Sequence, residues 1–375
     1  ALERGPIALP EPRGSSLLVY WLLFAFFAAG ALIAPVAARR LVAADGRSVG
    51  RERVPLRLGF LAGALATICL IGLRYKVGGD WSSYQLIFLQ TRFVSLTHAI
   101  GMSDPAYGAI NWLAYQVGGD IWLVDLVCGA IFGWGLYRFC NAQPSPWLAF
   151  AVAIPYLVIV VGMGYTRQSV ALGILMAGLA KQVRGASTLN FALYTLGAAL
   201  FHKTAIVMFP LVAIAGKGSK LVNISIALVT SLLLYVYFLN DAMDSLVHNY
   251  IDAEYQSQGA LIRIVMNLIP AVLMWLFGRK LGFGEYEHKI WRNFSLAALL
   301  FFVMFWVIRS STAVDRMSLY LLPLQIAVLT RVALLGANPL AGTVAVLAYL
   351  FAVEFTWLNF AQFSDHWIPY RFYPL

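Results

Sequence analysis

Apolar runs close to twenty residues long recur along this chain from Leu17 almost to the C-terminus. That is the length a helix needs to cross about 30 Å of hydrocarbon. In hydrocarbon every backbone N–H and C=O must be satisfied within the protein, which restricts a spanning chain to helices or a closed barrel. The runs show no alternation of period two, so the barrel is set aside. Of 375 residues, 61% are hydrophobic and 12% are Asp, Glu, Lys or Arg. Soluble domains carry about twice that charged share. The expected fold is an all-α polytopic membrane protein with about twelve spans. They lie near 17–38, 56–74, 121–139, 146–163, 166–181, 188–201, 203–216, 221–239, 261–278, 292–309, 317–335 and 340–358. Span one is too long for a signal-peptide core. The sixth and seventh are short and read as tilted half-helices meeting at "FHKT", or as a broken pair dipping into the membrane. Residues 1–16, rich in Pro and Gly, are expected to be disordered, and 17–375 to form one membrane domain.

The net charge of +10 raises the question of nucleic acid, but the cations are placed otherwise. Arg39, Arg40, Arg47, Arg51, Arg53 and Arg57 fall in one loop. Counting onward, Arg138, Lys181 with Arg184, Lys217 with Lys220, Arg279 with Lys280, Lys289 with Arg292, and Arg331 fall on the same side. The positive-inside rule makes that side cytoplasmic. No basic run is interleaved with stacking aromatics, so no nucleic-acid partner is expected. Cys69, Cys128 and Cys140 lack metal or redox spacing. No phosphate-binding GxxxxGK[ST] loop and no HExxH is present. No metal and no cofactor are expected.

The opposite, extracytoplasmic side receives 75–120, 164–165, 202, 240–260, 310–316 and the tail. In 75–120, "SSYQLIFLQTRFVSLTHAI" reads as an amphipathic interfacial helix with Tyr84, Ile87, Phe88 and Phe93 on one face, and a second helix is expected near 105–118. The unusual polar residues reach the same level. They are Arg74, Lys76 and Asp80; Arg167 and Gln168; His202 and Lys203; Arg309, Asp315 and Arg316; and His366 with Arg371. Terminal cations commonly snorkel, and that reading weighs equally for Lys76, Lys203 and Arg371. It is weaker for Arg167, which opposes the dipole of the helix it starts, and for Arg309 and Arg316, which violate the charge bias. A guanidinium at a helix N-terminus suits a phosphate. His202 reads equally as packing residue or general base. The acidic loop Asp241, Asp244, Asp252 and Glu254 with His248 reads as solvated. Spans nearly free of central charge, with Asp125 and Arg263 as exceptions, speak against a transporter.

Several stretches taken in order carry a resemblance. "LRYKVGGDWSSYQLIF", "DPAYGAINWLAYQVGGDIWLV", "YTRQSVALGILMAGLA", "LGAALFHKTAIVMFPLV", "DRMSLYLLPLQI" and "HWIPYRF" together resemble the succession of motifs in the EpsG family of membrane proteins. The sequence departs in having Asp104 where Glu is expected and Lys203 directly after the His. The resemblance implies a Wzy-like polymerase of exopolysaccharide or capsule repeat units, with a GT-C-like architecture in the bacterial inner membrane. It implies undecaprenyl-diphosphate-linked glycans as donor and acceptor, and flippase and chain-length regulator proteins as partners. It singles out Arg74, Asp80, Tyr84, Arg167, Gln168, His202, Arg316 and Tyr320. Arg74, Arg167 and Arg316, with Arg309, would hold the donor diphosphate. Asp80 or His202 would take the acceptor's proton, and Tyr84, Gln168, Lys203 and Tyr320 would contact substrate. The displacement is expected to invert, since no carboxylate pair suggests a covalent intermediate. A flippase for the same lipid-linked sugar and a membrane acyltransferase are the rival readings.

Overall fold

A computed structural model describes residues 13–34, 54–216, 221–225, 228–229, 232, 259–308 and 311–373. The regular structure among these residues is all helical, with no strand among them beyond one isolated antiparallel bridge between Arg74 and Phe372. In chain order, α1 is Arg13–Ile33, α2 Val54–Gly72, α3 Trp81–Thr91, α4 Leu96–Met102, α5 Pro105–Gln116 and α6 Ile121–Cys140. Helix α7, Pro146–Ala153, runs on as a π-helix over Ile154–Gly162; α8 is Thr166–Gln182 and α9 Thr188–Ala199. A 3₁₀ turn, Lys203–Val207, leads to α10, Met208–Ala213. The remaining helices are α11 Ala260–Phe277, α12 Glu285–Val307, α13 Ser311–Ser318, α14 Leu322–Val332 and α15 Pro339–Phe360. Among the described residues four helices, Ile121–Cys140, Ala260–Lys280, Glu285–Val307 and Pro339–Phe360, are long and apolar enough to cross a membrane.

The bundle has an inside and an outside. Helix α8 and the α7–π segment are covered almost all round, whereas α11, α12 and α15 leave large apolar side chains such as Trp275, Leu300 and Phe351 exposed, as lipid-facing helices do. Helix α8 packs chiefly on α6 and α9, and α2 on the other side of α6. The α6–α8 crossing rests on Gly135 and Gly173. A Cβ on Gly173 would lie 2.6 Å from the Phe132 Cα, and one on Gly135 would lie against the Gly173 carbonyl. Small residues let two backbones approach closely where no hydrophobic force drives helices together in lipid.

Pro155 offers no N–H to the α-helical ladder, and the backbone widens into the π-helix just there. One of its carbonyls, Ile159 O, accepts from Trp367 Nε1 at 2.8 Å. Trp367 belongs to a tail that folds back over one end of the bundle. Tyr20 Oη donates to Trp367 O at 2.6 Å and Tyr370 Oη to Leu70 O at 2.8 Å. Tyr75 N donates to Arg371 O and Gly78 N to His366 O, so the tail pairs with the loop after α2.

Two expectations are corrected here. The stretch 82–100 forms two helices rather than one, because Ser95 caps α4 by accepting from His98 N at 3.3 Å. Tyr84 and Phe88 are buried, but Phe93 falls in the intervening turn and is 89% exposed. The segment 310–316 is not a plain link: α13 takes in Asp315 and Arg316, which gives both a fixed helical direction. The helix α1 is described from Arg13 onward. Residues 1–12, nearly all of the 39–57 loop cations, most of span 221–239, the acidic loop and Arg309 lie outside the described residues.

Replacing Gly173 by Leu is expected to cost about 1–3 kcal/mol through overpacking at the α6–α8 crossing. A thermal melt of the detergent-purified protein checks this. Gly197→Leu serves as the control, since a Cβ at Gly197 would meet nothing nearer than Ile174 Cγ2 at 3.8 Å.

Candidate active site

The loop after α2 is built around two residues. Arg74, 1% exposed, donates from Nη2 to Asp125 Oδ1 at 2.9 Å and to Thr166 Oγ1 at 2.8 Å. Its Nε donates to Val77 O at 3.2 Å and its Nη1 to Ile71 O. One side chain thereby ties the end of α2 to α6 and to the first turn of α8. Gly78 has φ +108°, and a Cβ there would stand 2.3 Å from Met163 O. Only glycine lets the loop sit down on the turn that precedes α8.

On that seat the polar side chains converge around the start of α8. Arg167 Nη1 donates to Asp104 Oδ2 at 2.9 Å and to Ser103 Oγ at 3.3 Å, and its guanidinium lies over the Tyr84 ring at 6.0 Å. Asp104 Oδ2 also faces His202 Nδ1 at 3.9 Å. Arg316 stacks on the Tyr165 ring at 3.7 Å and approaches Asp80 Oδ2 at 3.6 Å. Gln168 Nε2 donates to Arg316 O at 2.7 Å, which locks α8 to α13. Thr204 Oγ1 and Tyr320 Oη lie 3.2 Å apart and close the floor.

The electrostatics follow from this packing. Burial of the His202 ring, with Arg167 and Arg316 adding to it, lowers its pKa from 6.5 to about 3. The imidazole is therefore neutral at physiological pH. Burial raises the Asp104 pKa from its ordinary value, opposed by Arg167 and Lys203. Burial pushes Tyr84 up to about 12, with Asp80 adding to the rise, so it stays a phenol. Arg167 and Arg316 remain 34% and 29% exposed, so ligand can reach both. Among the described residues no three His, Cys, Asp or Glu side chains gather as a metal ligand set.

The family model described as the EpsG family matches residues 59–372. The chain belongs to the EpsG family. No curated protein and no solved structure matched it.

Of the site residues expected from the sequence of this EpsG-family chain, the structure gathers Asp80, Tyr84, Arg167, Gln168, His202, Arg316 and Tyr320 around the start of α8. Lys203 adjoins them, with its charge acting on Asp104. Arg74 is the correction: expected at the diphosphate, it is buried beneath the cluster with its donors spent on the protein. His366 and Arg371 serve the tail instead, offering backbone carbonyls to the loop. Asp104 stands out in the sequence only as a departure from Glu, and Tyr165, Thr166 and Thr204 are not singled out there as site residues. The Asp-Pro pair at 104–105 is the available signal, since it opens a helix. Glu354 in α15 escapes a sequence reading as a charge within a span; it is fully buried, and among the described residues neither oxygen has a hydrogen-bond partner.

Asp125→Ala is expected to strand the Arg74 guanidinium. Breaking a buried pair from one side costs about 3–5 kcal/mol, so the melting temperature in detergent should fall sharply. Asp80→Asn, at the part-exposed rim, should leave it nearly unchanged.

Proposed function

We propose that this chain is a glycosyltransferase that polymerises lipid-diphosphate-linked oligosaccharide repeat units at the extracytoplasmic face of a bacterial cytoplasmic membrane. The observation that carries the reading is the convergence of two part-exposed guanidiniums, Arg167 and Arg316, on a neutral His202 at the start of α8. Membership of the EpsG family supports an exopolysaccharide-related polymerase. Sidedness is supported by the cations at the far ends of the helices, among them Arg138, Lys181, Arg279 and Lys280. The proposal keeps the twelve-span, GT-C-like topology, with undecaprenyl diphosphate as carrier.

In the reaction the acceptor hydroxyl oxygen attacks the donor's anomeric carbon. The bond from that carbon to the diphosphate oxygen breaks, and the lipid diphosphate leaves with the electron pair. Arg167 and Arg316 hold the diphosphate bidentately and offset the charge that grows on it. His202, already neutral, takes the hydroxyl proton. Asp80, beside Arg316, orients that guanidinium. Burial is the largest cause of the lowered His202 pKa, and the cations that add to it are those a bound diphosphate neutralises, so donor binding strengthens the base in part. Tyr84, Gln168, Lys203 and Tyr320 shape the walls.

Purified protein given a lipid-linked repeat unit, without nucleotide, should yield a ladder of longer glycans and free lipid diphosphate. Transbilayer movement without elongation would sink the reading in favour of a flippase. His202→Ala is expected to lower kcat about 10²–10⁴-fold, while Arg167→Lys weakens donor binding. Because kcat/KM reports the free enzyme, its acid limb should lie below about pH 5. A limb near pH 6.5 would remove His202 as the base.

A further inference from the structure

We infer that Asp104 is the positioning residue of this site, fixing Arg167 for the diphosphate and holding His202 with Nδ1 turned inward so that Nε2 faces the acceptor. The inference rests on the polymerase reading for its kinetic consequence, but not for its geometry.

Asp104 is 6% exposed, and its carboxylate meets both α8 and the break at His202. Its Oδ2 accepts from Arg167 Nη1 at 2.9 Å and faces His202 Nδ1 at 3.9 Å. The chain around it is held firmly. Pro105 opens α5, Asp104 O accepts from Gly108 N at 2.9 Å, and Ala106 N donates to Leu200 O at 2.9 Å, just before His202. Gly108 presses on α4 so closely that a Cβ would stand 2.2 Å from Ala99 O. The carboxylate is thereby set between α8 and the break at His202 by backbone contacts on both sides.

A carboxylate oxygen accepts only, so a neutral imidazole presenting Nδ1 to it gains by carrying the proton there. The other nitrogen is then a bare acceptor, the form a general base requires. At 3.9 Å the contact is not yet a hydrogen bond. Hydrogen bonds of this kind are often long in empty sites and tighten with substrate. Arg167 anchors the same oxygen, which couples the anion-holding group to the base through one atom. Asp104 touches no reacting atom in this arrangement; it acts through its two neighbours.

The test uses full-length protein with ¹⁵N-labelled histidine, His202 being assigned by its loss in His202→Gln. The expected wild-type signature at neutral pH is a neutral ring protonated at Nδ1. Asp104→Asn is expected to release it into a mixture of tautomers, and Asp104→Glu to retain it. An identical His202 tautomer in wild type and Asp104→Asn overturns the inference. In the elongation assay Asp104→Asn should lower kcat on the order of 10²-fold, with Asp104→Glu restoring most of it. Loss in both variants, with the tautomer unmoved, marks a merely structural residue. Absence of elongation in wild type would sink the polymerase reading while the tautomer result still decides the geometry.

Discussion

A single buried guanidinium holds the candidate-site end of this bundle together. In hydrocarbon a lone arginine is costly, and helices feel little hydrophobic attraction for one another. Arg74 turns the first fact against the second. Its bonds to Asp125, Thr166, Val77 and Ile71 satisfy a charge that has nowhere else to go, so α2, α6 and α8 stay together at this level. The start of α8 is positioned by that knot from below and by Gly78 against Met163 from beside it. Every other contact in the cluster inherits its geometry from those two.

Placing Arg167 in the first turn of α8 opposes the helix dipole. Asp104 supplies an anion at the same spot and offsets that cost. The neighbouring His202 is held neutral by burial, with Arg167 and Arg316 adding to it, although an exposed histidine would be partly protonated near pH 6.5. A cluster of fixed positive charge around an uncharged imidazole is suited to a ligand that brings its own negative charge.

Much of this was legible in the sequence. Apolar run length alone located helices such as Ile121–Cys140 and Thr166–Gln182 to within a residue or two, because hydrocarbon thickness leaves little choice of length. The break at His202 showed as two runs too short to be full helices. The ordered motifs were legible too, as the family match over residues 59–372 shows. What the sequence could not separate was strut from ligand. Arg74 and Arg167 both stand at helix ends beside polar residues, and the difference lies in partners 51 positions away at Asp125 and 63 away at Asp104. Phe93 failed for a local reason, since Ser95 offered a cap that ended one helix and began another. Glu354 was missed because one carboxylate in a long apolar run barely alters the run.

Pairing and exposure now sort the arginines. Arg331 is 5% exposed and bonds to Glu287, Gln143 and the Ala327 carbonyl. Arg263 forms a two-point pair with Asp315 at 2.8 and 2.7 Å. These, like Arg74, have geometry that a second anion would have to break, and breaking a well-formed buried pair is expensive. Arg167 and Arg316 differ in kind. Each keeps about a third of its surface open, Arg167 reaches its carboxylate through one nitrogen, and Arg316 stands 3.6 Å from Asp80. A carboxylate at that distance steadies a guanidinium while leaving it within a ligand's reach. Under the proposed function, an incoming diphosphate would share both arginines with the protein, and its departure would leave Arg167 on Asp104 and Arg316 beside Asp80. That reversibility is what a site must have if it is to hold an anion, release it and take the next.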